Sequence, residues 1–144
     1  MTKPLLFASP DECEQAFYDA LEAADVDAIA GLWLDDDDVC CVHPGGARIV
    51  GAAAVRQSWA TILAEGPLRM RAAQRKTVET PTIALSNVIE EVIVTQGRSQ
   101  RIVHVITTNG FVKTPAGWKM VLHHASPAPE GGPPVAEAPS GTLH

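Results

Sequence analysis

The sequence predicts an α+β domain whose helices gather on one face of an antiparallel sheet. Segments with helical spacing all fall before Gly66, and after it come four long runs rich in Val, Ile and Thr, joined by short turns. Those runs are apolar at both parities, as with Ile102 and Ile106 against Val103 and Val105, so both faces of the sheet need cover. The helices can cover one face. A second copy of the chain is the simplest cover for the other, and a homodimer through the outer sheet face is expected.

Each element has a local cause. Ser9-Pro10-Asp11-Glu12 is a helix start, with Ser9 able to accept a backbone N–H, Pro10 suited to the first turn and Glu12 able to complete a capping box. The helix should run to about Ala24, with Cys13, Ala16, Phe17, Ala20, Leu21 and Ala24 along one buried stripe. Asp25 caps a second, short helix carrying Ile29, Leu32 and Trp33. The four carboxylates of residues 35–38 end it, because they oppose the helix dipole and repel one another.

Residues 39–43 alternate as a short strand, and Pro44-Gly45-Gly46 turns into another at 48–50. Residues 51–65 return to helical spacing with Val55, Trp59, Ile62 and Leu63 near one face, until Gly66-Pro67 stops them. Strands are predicted at about 68–80, 82–95, 101–113 and 118–125, with hairpin turns at Gln96-Gly97 and at residues 114–117. From Ser126 onward the chain holds five of its eleven prolines and almost no large apolar side chain. The expected organisation is therefore a single domain over 1–126 and a Pro/Gly-rich disordered tail over 127–144.

Composition narrows the function. At 144 residues there is room for one core, and 46% apolar with 19% charged residues is the balance of a soluble globular protein. A net charge of −6, with eleven scattered Lys and Arg, argues against nucleic acid as partner. Adjacent Cys40 and Cys41 point to opposite faces of a strand, and three cysteines cannot all pair, which suits a reducing compartment. The apolar run near the N-terminus is too short for a signal peptide core or a membrane span, so a cytoplasmic protein is expected. No C-x-x-C or H-E-x-x-H spacing, phosphate loop, dinucleotide fingerprint or G-x-S-x-G turn occurs, and neither a metal nor a cofactor is expected.

The order of these motifs resembles a known family. A helix, a short helix with Trp33, an acidic turn, a strand ending His43-Pro44-Gly45-Gly46, a helix with Trp59, then long strands closing on Gly117-Trp118-Lys119-Met120 and His124-Ala125-Ser126, are similar to the SnoaL-like branch of the nuclear transport factor 2-like superfamily. The resemblance covers roughly residues 10–126. It implies a cone, a bent sheet wrapped round helices and enclosing an apolar cavity, and a dimer through the sheet's outer face. Its relatives include ketosteroid isomerases, polyketide cyclases, dehydratases and the association domain of calcium/calmodulin-dependent protein kinase type II, so the fold alone does not choose the function. The Tyr and Asp pattern of the isomerases and cyclases is not clearly met, because Tyr18 is the only tyrosine and no Asp matches a strand position.

Strand parity then selects the pocket residues. Across the 114–117 loop, Trp118 faces Lys113, Met120 faces Phe111, Leu122 faces Asn109 and His124 faces Thr107, so His124 and Asn109 share the helix side with the large apolar set. His123 then faces outward. The same parity carried across Gln96-Gly97 puts Val88, Glu90, Val92 and Val94 inside and Glu91 outside with His104. The resulting expectation is a small apolar ligand in the cavity, with Glu90, His43 and His124 as acid or base and Trp33, Trp59, Asn109, Val105 and Met120 as its lining. His43 fits a pocket base or a histidine bonded to backbone at a strand end, and both readings stay open. Two functions follow: a cofactor-independent isomerase, cyclase or dehydratase, or a ligand-binding or oligomerisation module without catalysis.

Overall fold

A computed structural model of the chain describes residues 6–129. Helix α1 (Pro10–Ala23) starts where the cap was read: the Ser9 hydroxyl accepts the Glu12 N–H at 3.1 Å, while the Glu12 carboxylate accepts from the Ala8 N–H at 3.0 Å. It ends on Ala24 in the left-handed conformation, φ 54°. A left-handed alanine costs about 1–2 kcal/mol, of which glycine's larger unfolded entropy gives back about 0.5–1. Ala24→Gly is thus expected to raise the unfolding free energy by about 0.5–1 kcal/mol in a urea titration.

Helix α2 (Val26–Leu32) is capped by Asp25, whose carboxylate accepts the Ala28 N–H at 3.0 Å. Trp33 leaves it in extended conformation and bridges to Met120. Then follow β1 (Cys40–Val42), β2 (Arg48–Val50), α3 (Ala52–Leu63), β3 (Met70–Glu79), β4 (Ile83–Gln96), β5 (Ser99–Thr114) and β6 (Gly117–Pro127). They form one six-stranded curved sheet in the order β2-β1-β6-β5-β4-β3. The hairpins from β3 to β6 are antiparallel, and β1 lies parallel to β6. Gly117, with φ 88°, lets the chain before α1 pass close over the last hairpin: a Cβ there would sit 2.8 Å from the Phe7 backbone nitrogen.

Helices α1, α2 and α3 pack on the concave side through Phe17, Leu21, Ile29, Leu32, Val55 and Trp59, against Val88, Phe111, Trp118 and Met120 from the sheet. The fold is the α+β arrangement read from the element order. On the convex side Ile83, Leu85 and Ile102 are exposed.

One register differs from the expectation, and it decides which histidine faces the core. Trp118 pairs with Lys113 and Met120 with Phe111 as read, but a bulge follows: Leu122 pairs with Gly110, His123 with Asn109 and His124 with Thr108. An extra residue in one strand reverses the facing of everything beyond it. Gly110 makes room, since a Cβ there would lie 3.1 Å from the Leu122 Cβ. His123 therefore points inward at 2% exposure and His124 is exposed on the convex face, the reverse of the predicted arrangement. The β4 parity is as read, with Val88 and Glu90 buried and Glu91 turned outward to Arg71 at 2.7 Å and His104 at 3.8 Å.

A second bulge, between Ala73 and Lys76 of β3, has Gln74 at φ 52° and turns Arg75 back to α1. Strand β6 reaches Pro127, and the Ala128 N–H donates to the His104 carbonyl at 3.0 Å. The expected tail thus begins as sheet, and its residues 130–144 lie outside the described residues.

Candidate functional site

Between the helices and the concave sheet lies a chamber of about 220 Å³ with an almost wholly apolar wall. Leu21 of α1, Trp59 and Ile62 of α3, Leu68, Met70 of β3 and the β4–β5 valines 92, 94, 103 and 105 supply that wall. Three polar side chains join it: Glu90 from β4, His43 from the end of β1 and His123 from β6. The parallel β1–β6 pairing places Cys41 beside His123, so His43 follows on the same side. The His43 and His123 rings lie 6.4 Å apart, and Trp59 stands edge-on to both at 4.6 and 5.4 Å.

Glu90 sits at 3% exposure, and desolvation raises its pKa above the ordinary carboxylate value. The Tyr18 hydroxyl opposes that shift by donating to Glu90 Oε2 at 2.8 Å. Burial and the Glu90 charge hold the Tyr18 phenol well above its own ordinary range, so Tyr18 is a donor and not a base. Thr107 sits beside Glu90, yet its hydroxyl makes no hydrogen bond of acceptable geometry. Burial pushes both imidazoles the other way. His43 is lowered, and His123 falls to about 3, with His43 and His124 adding to the effect of desolvation. Both are neutral at pH 7.

A buried polar network lies behind the chamber floor. Glu14 of α1, at 1% exposure, accepts from Arg75 Nε at 2.8 Å, Ser86 Oγ at 2.9 Å and Asn109 Nδ2 at 2.9 Å. Asn109 Nδ2 also donates to the Tyr18 oxygen at 3.0 Å, and Asn109 Oδ1 lies 2.7 Å from His123 Nδ1.

Of the residues expected at the site, Glu90, His43, Trp59 and Val105 line the chamber. Asn109 lies one layer behind it, touching His123. Met120 is fully buried in the core, and Trp33 lines a separate groove with Ile29, Asp35, Ala52 and Arg56. His124 is on the opposite face of the sheet. Sequence reasoning left out His123, Tyr18 and Glu14. The last two had a signal: positions 10, 13, 14, 17, 18 and 21 of α1 form one helical stripe, and a carboxylate and a phenol interrupt it. Among the described residues no group of three or more His, Cys, Asp or Glu is placed to hold a metal ion. No helix among them is long and apolar enough to cross a membrane.

The fold has counterparts among known structures. A family model described as a SnoaL-like domain matches residues 11–130. No curated protein matches the chain. A solved structure from Thiobacillus denitrificans, provisionally described as a calcium/calmodulin-dependent protein kinase type II association domain, is 32% identical with a TM-score of 0.79 over 87% of this chain and 99% of that one. A nuclear transport factor 2-like protein from Streptomyces avermitilis, provisionally described as a dehydratase, is 29% identical with a TM-score of 0.74 over 82% of this chain and 93% of that one. A protein from Parabacteroides distasonis, provisionally described as a ketosteroid isomerase, shares the fold at 18% identity and a TM-score of 0.66, over 83% of this chain and 86% of that one.

Proposed function

Because the chain belongs to the SnoaL-like domain family, we propose that it binds a small apolar carbonyl compound in its chamber and moves a proton on it without a cofactor, with Glu90 as the acid–base group. The observation that carries this reading is a carboxylate on an otherwise apolar wall, its pKa raised by burial while Tyr18 keeps part of the charged form available. A base poised nearer neutrality transfers protons more effectively than an ordinary surface carboxylate. The dry wall strengthens electrostatic interactions inside it. His43 is the second group that can take or return a proton, whereas His123, with its pKa lowered to about 3, stays neutral and acts only through hydrogen bonds, and His124 faces away from the chamber. The 29% identity to a nuclear transport factor 2-like protein provisionally described as a dehydratase supports the choice of acid–base chemistry.

The test is hydrogen–deuterium exchange at the carbon next to the carbonyl of cyclopentanone and cyclohexanone in D2O, followed by NMR. The protein is expected to accelerate exchange over buffer, and Glu90→Gln to lose on the order of 100-fold or more of that acceleration. Exchange equal in Glu90→Gln and wild type would end the assignment.

A second reading draws on the convex face, where Ile83, Leu85 and Ile102 are exposed. Together with the similarity to proteins described as kinase association domains, that surface supports self-association, with a homodimer as its simplest form. Ile102→Glu is expected to shift sedimentation from dimer to monomer, and a monomeric wild type would exclude it. A cytoplasmic location belongs to the same proposal, since all three cysteines are free thiols.

A further inference from the structure

Glu14 touches no part of the chamber wall, yet its contacts dictate which atoms of that wall carry protons. A carboxylate only accepts hydrogen bonds. Its contact with Asn109 at 2.9 Å must therefore be the amide nitrogen, which fixes the Asn109 side chain end for end. The carbonyl end is then the one 2.7 Å from His123 Nδ1. That oxygen has no proton, so Nδ1 must supply one. A neutral imidazole carries a single N–H, and so His123 Nε2 is left as a lone pair.

The other branch has the same sense. Asn109 Nδ2 donates to the Tyr18 oxygen at 3.0 Å, so the phenol sends its own proton to Glu90 at 2.8 Å. On the far wall His43 Nε2 lies 3.0 Å from the Ser58 hydroxyl, which also reaches the Val55 carbonyl at 2.8 Å, and 3.7 Å from the Cys41 sulfur, so this ring is engaged through Nε2. The donors that could balance the His123 lone pair are shut away: the Trp59 indole N–H and the Thr107 hydroxyl are buried without partners.

We infer that Glu14 is a positioning residue that sets the sense of the hydrogen bonds behind the chamber floor, so that the floor presents an acceptor which, beside the carbonyl that Glu90 acts on, takes a hydroxyl or N–H of the ligand in preference to the corresponding ether. The selectivity rests on the reading that the chamber binds a small molecule; the proton arrangement does not. A chamber of this size holds about one ring with a few substituents, since an apolar cavity of about 150 Å³ takes up benzene.

Two experiments separate these parts. In ¹⁵N-histidine-labelled protein without ligand, long-range ¹H–¹⁵N correlation at pH 7 is expected to show His123 with its proton on Nδ1. Glu14→Gln, whose amide can donate to Asn109 and let it turn over, is expected to populate the Nε2–H form. A wild-type His123 protonated on Nε2 overturns the inference by itself, whatever the variant does. In the second experiment phenol is expected to bind wild type at least 10-fold more tightly than anisole, by Trp fluorescence titration, and to lose that margin in His123→Phe. Equal affinity overturns the donor selectivity. Failure of both probes to bind defeats the chamber reading and the selectivity with it, and leaves the tautomer result to stand or fall on the spectrum.

Discussion

Glu14→Ala is expected to lower the unfolding free energy by about 3 kcal/mol, read from urea denaturation at pH 7. The substitution removes one acceptor that serves three donors. Asn109 and Ser86 are 0% and 3% exposed and cannot turn to water, and each buried group left unpaired costs about 1–3 kcal/mol. Arg75 adds little, because its side chain is 34% exposed and can rehydrate. Glu14→Gln keeps an acceptor oxygen in place and is expected to cost about half as much. An Ala variant within about 0.5 kcal/mol of wild type, the range of an ordinary surface change, would show that water enters the network and replaces the carboxylate.

The second large effect is a loss of stability in acid that belongs to His123. Its pKa is about 3 in the folded chain against an ordinary 6.5, so the unfolded chain binds the extra proton between those values. Stability is therefore complete above pH 6.5 and falls as pH drops toward 3, with a limiting slope of about 1.4 kcal/mol per pH unit. His43 is shifted in the same direction. Glu90 works against both: its folded pKa is raised from 4.5, so its contribution is full below 4.5 and is lost as pH rises through the folded value. The histidine slope is thus partly offset just above pH 4.5 and runs unopposed by Glu90 below it. The measurement is the difference in unfolding free energy between wild type and His123→Phe at pH 7, 5 and 4. His123→Phe loses a constant amount for the unpaired Asn109 carbonyl, and the gap is expected to narrow by about 2 kcal/mol or more on acidification. A gap that stays constant would mean that His123 titrates normally.

How far the sequence carries is clearest at the two hairpins. The β4–β5 hairpin turns through Gly97 with unbroken pairing from Gln96↔Ser99 to Ile83↔Val112, so alternation alone places Glu90 inside and Glu91 outside. The β5–β6 hairpin begins equally regularly and then bulges at Gly110. Period-two reasoning cannot cross such a point without knowing that it is there, and His123 and His124 exchange sides as a result. The warning lay in Gly110 itself, a lone glycine in a run of β-branched residues, which marks a bulge or a close approach. In α1 the stripe of apolar residues was legible, and the spacing of Glu14 and Tyr18 set them beside it, but nothing local showed that Arg75, Ser86 and Asn109 would arrive from three strands to pair with them. Partners so distant in the chain leave no local pattern. The parallel pairing of β1 with β6 was hidden for the same reason.

That pairing also orders events in time. A ribosome delivers residues 40–42 long before residues 122–124, so the nascent helices and β1 wait with their greasy sides uncovered until the final strand has left the exit tunnel. His43 and His123 meet only at that last step. Pulse-labelled hydrogen exchange during refolding is expected to protect the β4–β5 hairpin first and β1 last, which makes binding competence the latest property the chain acquires.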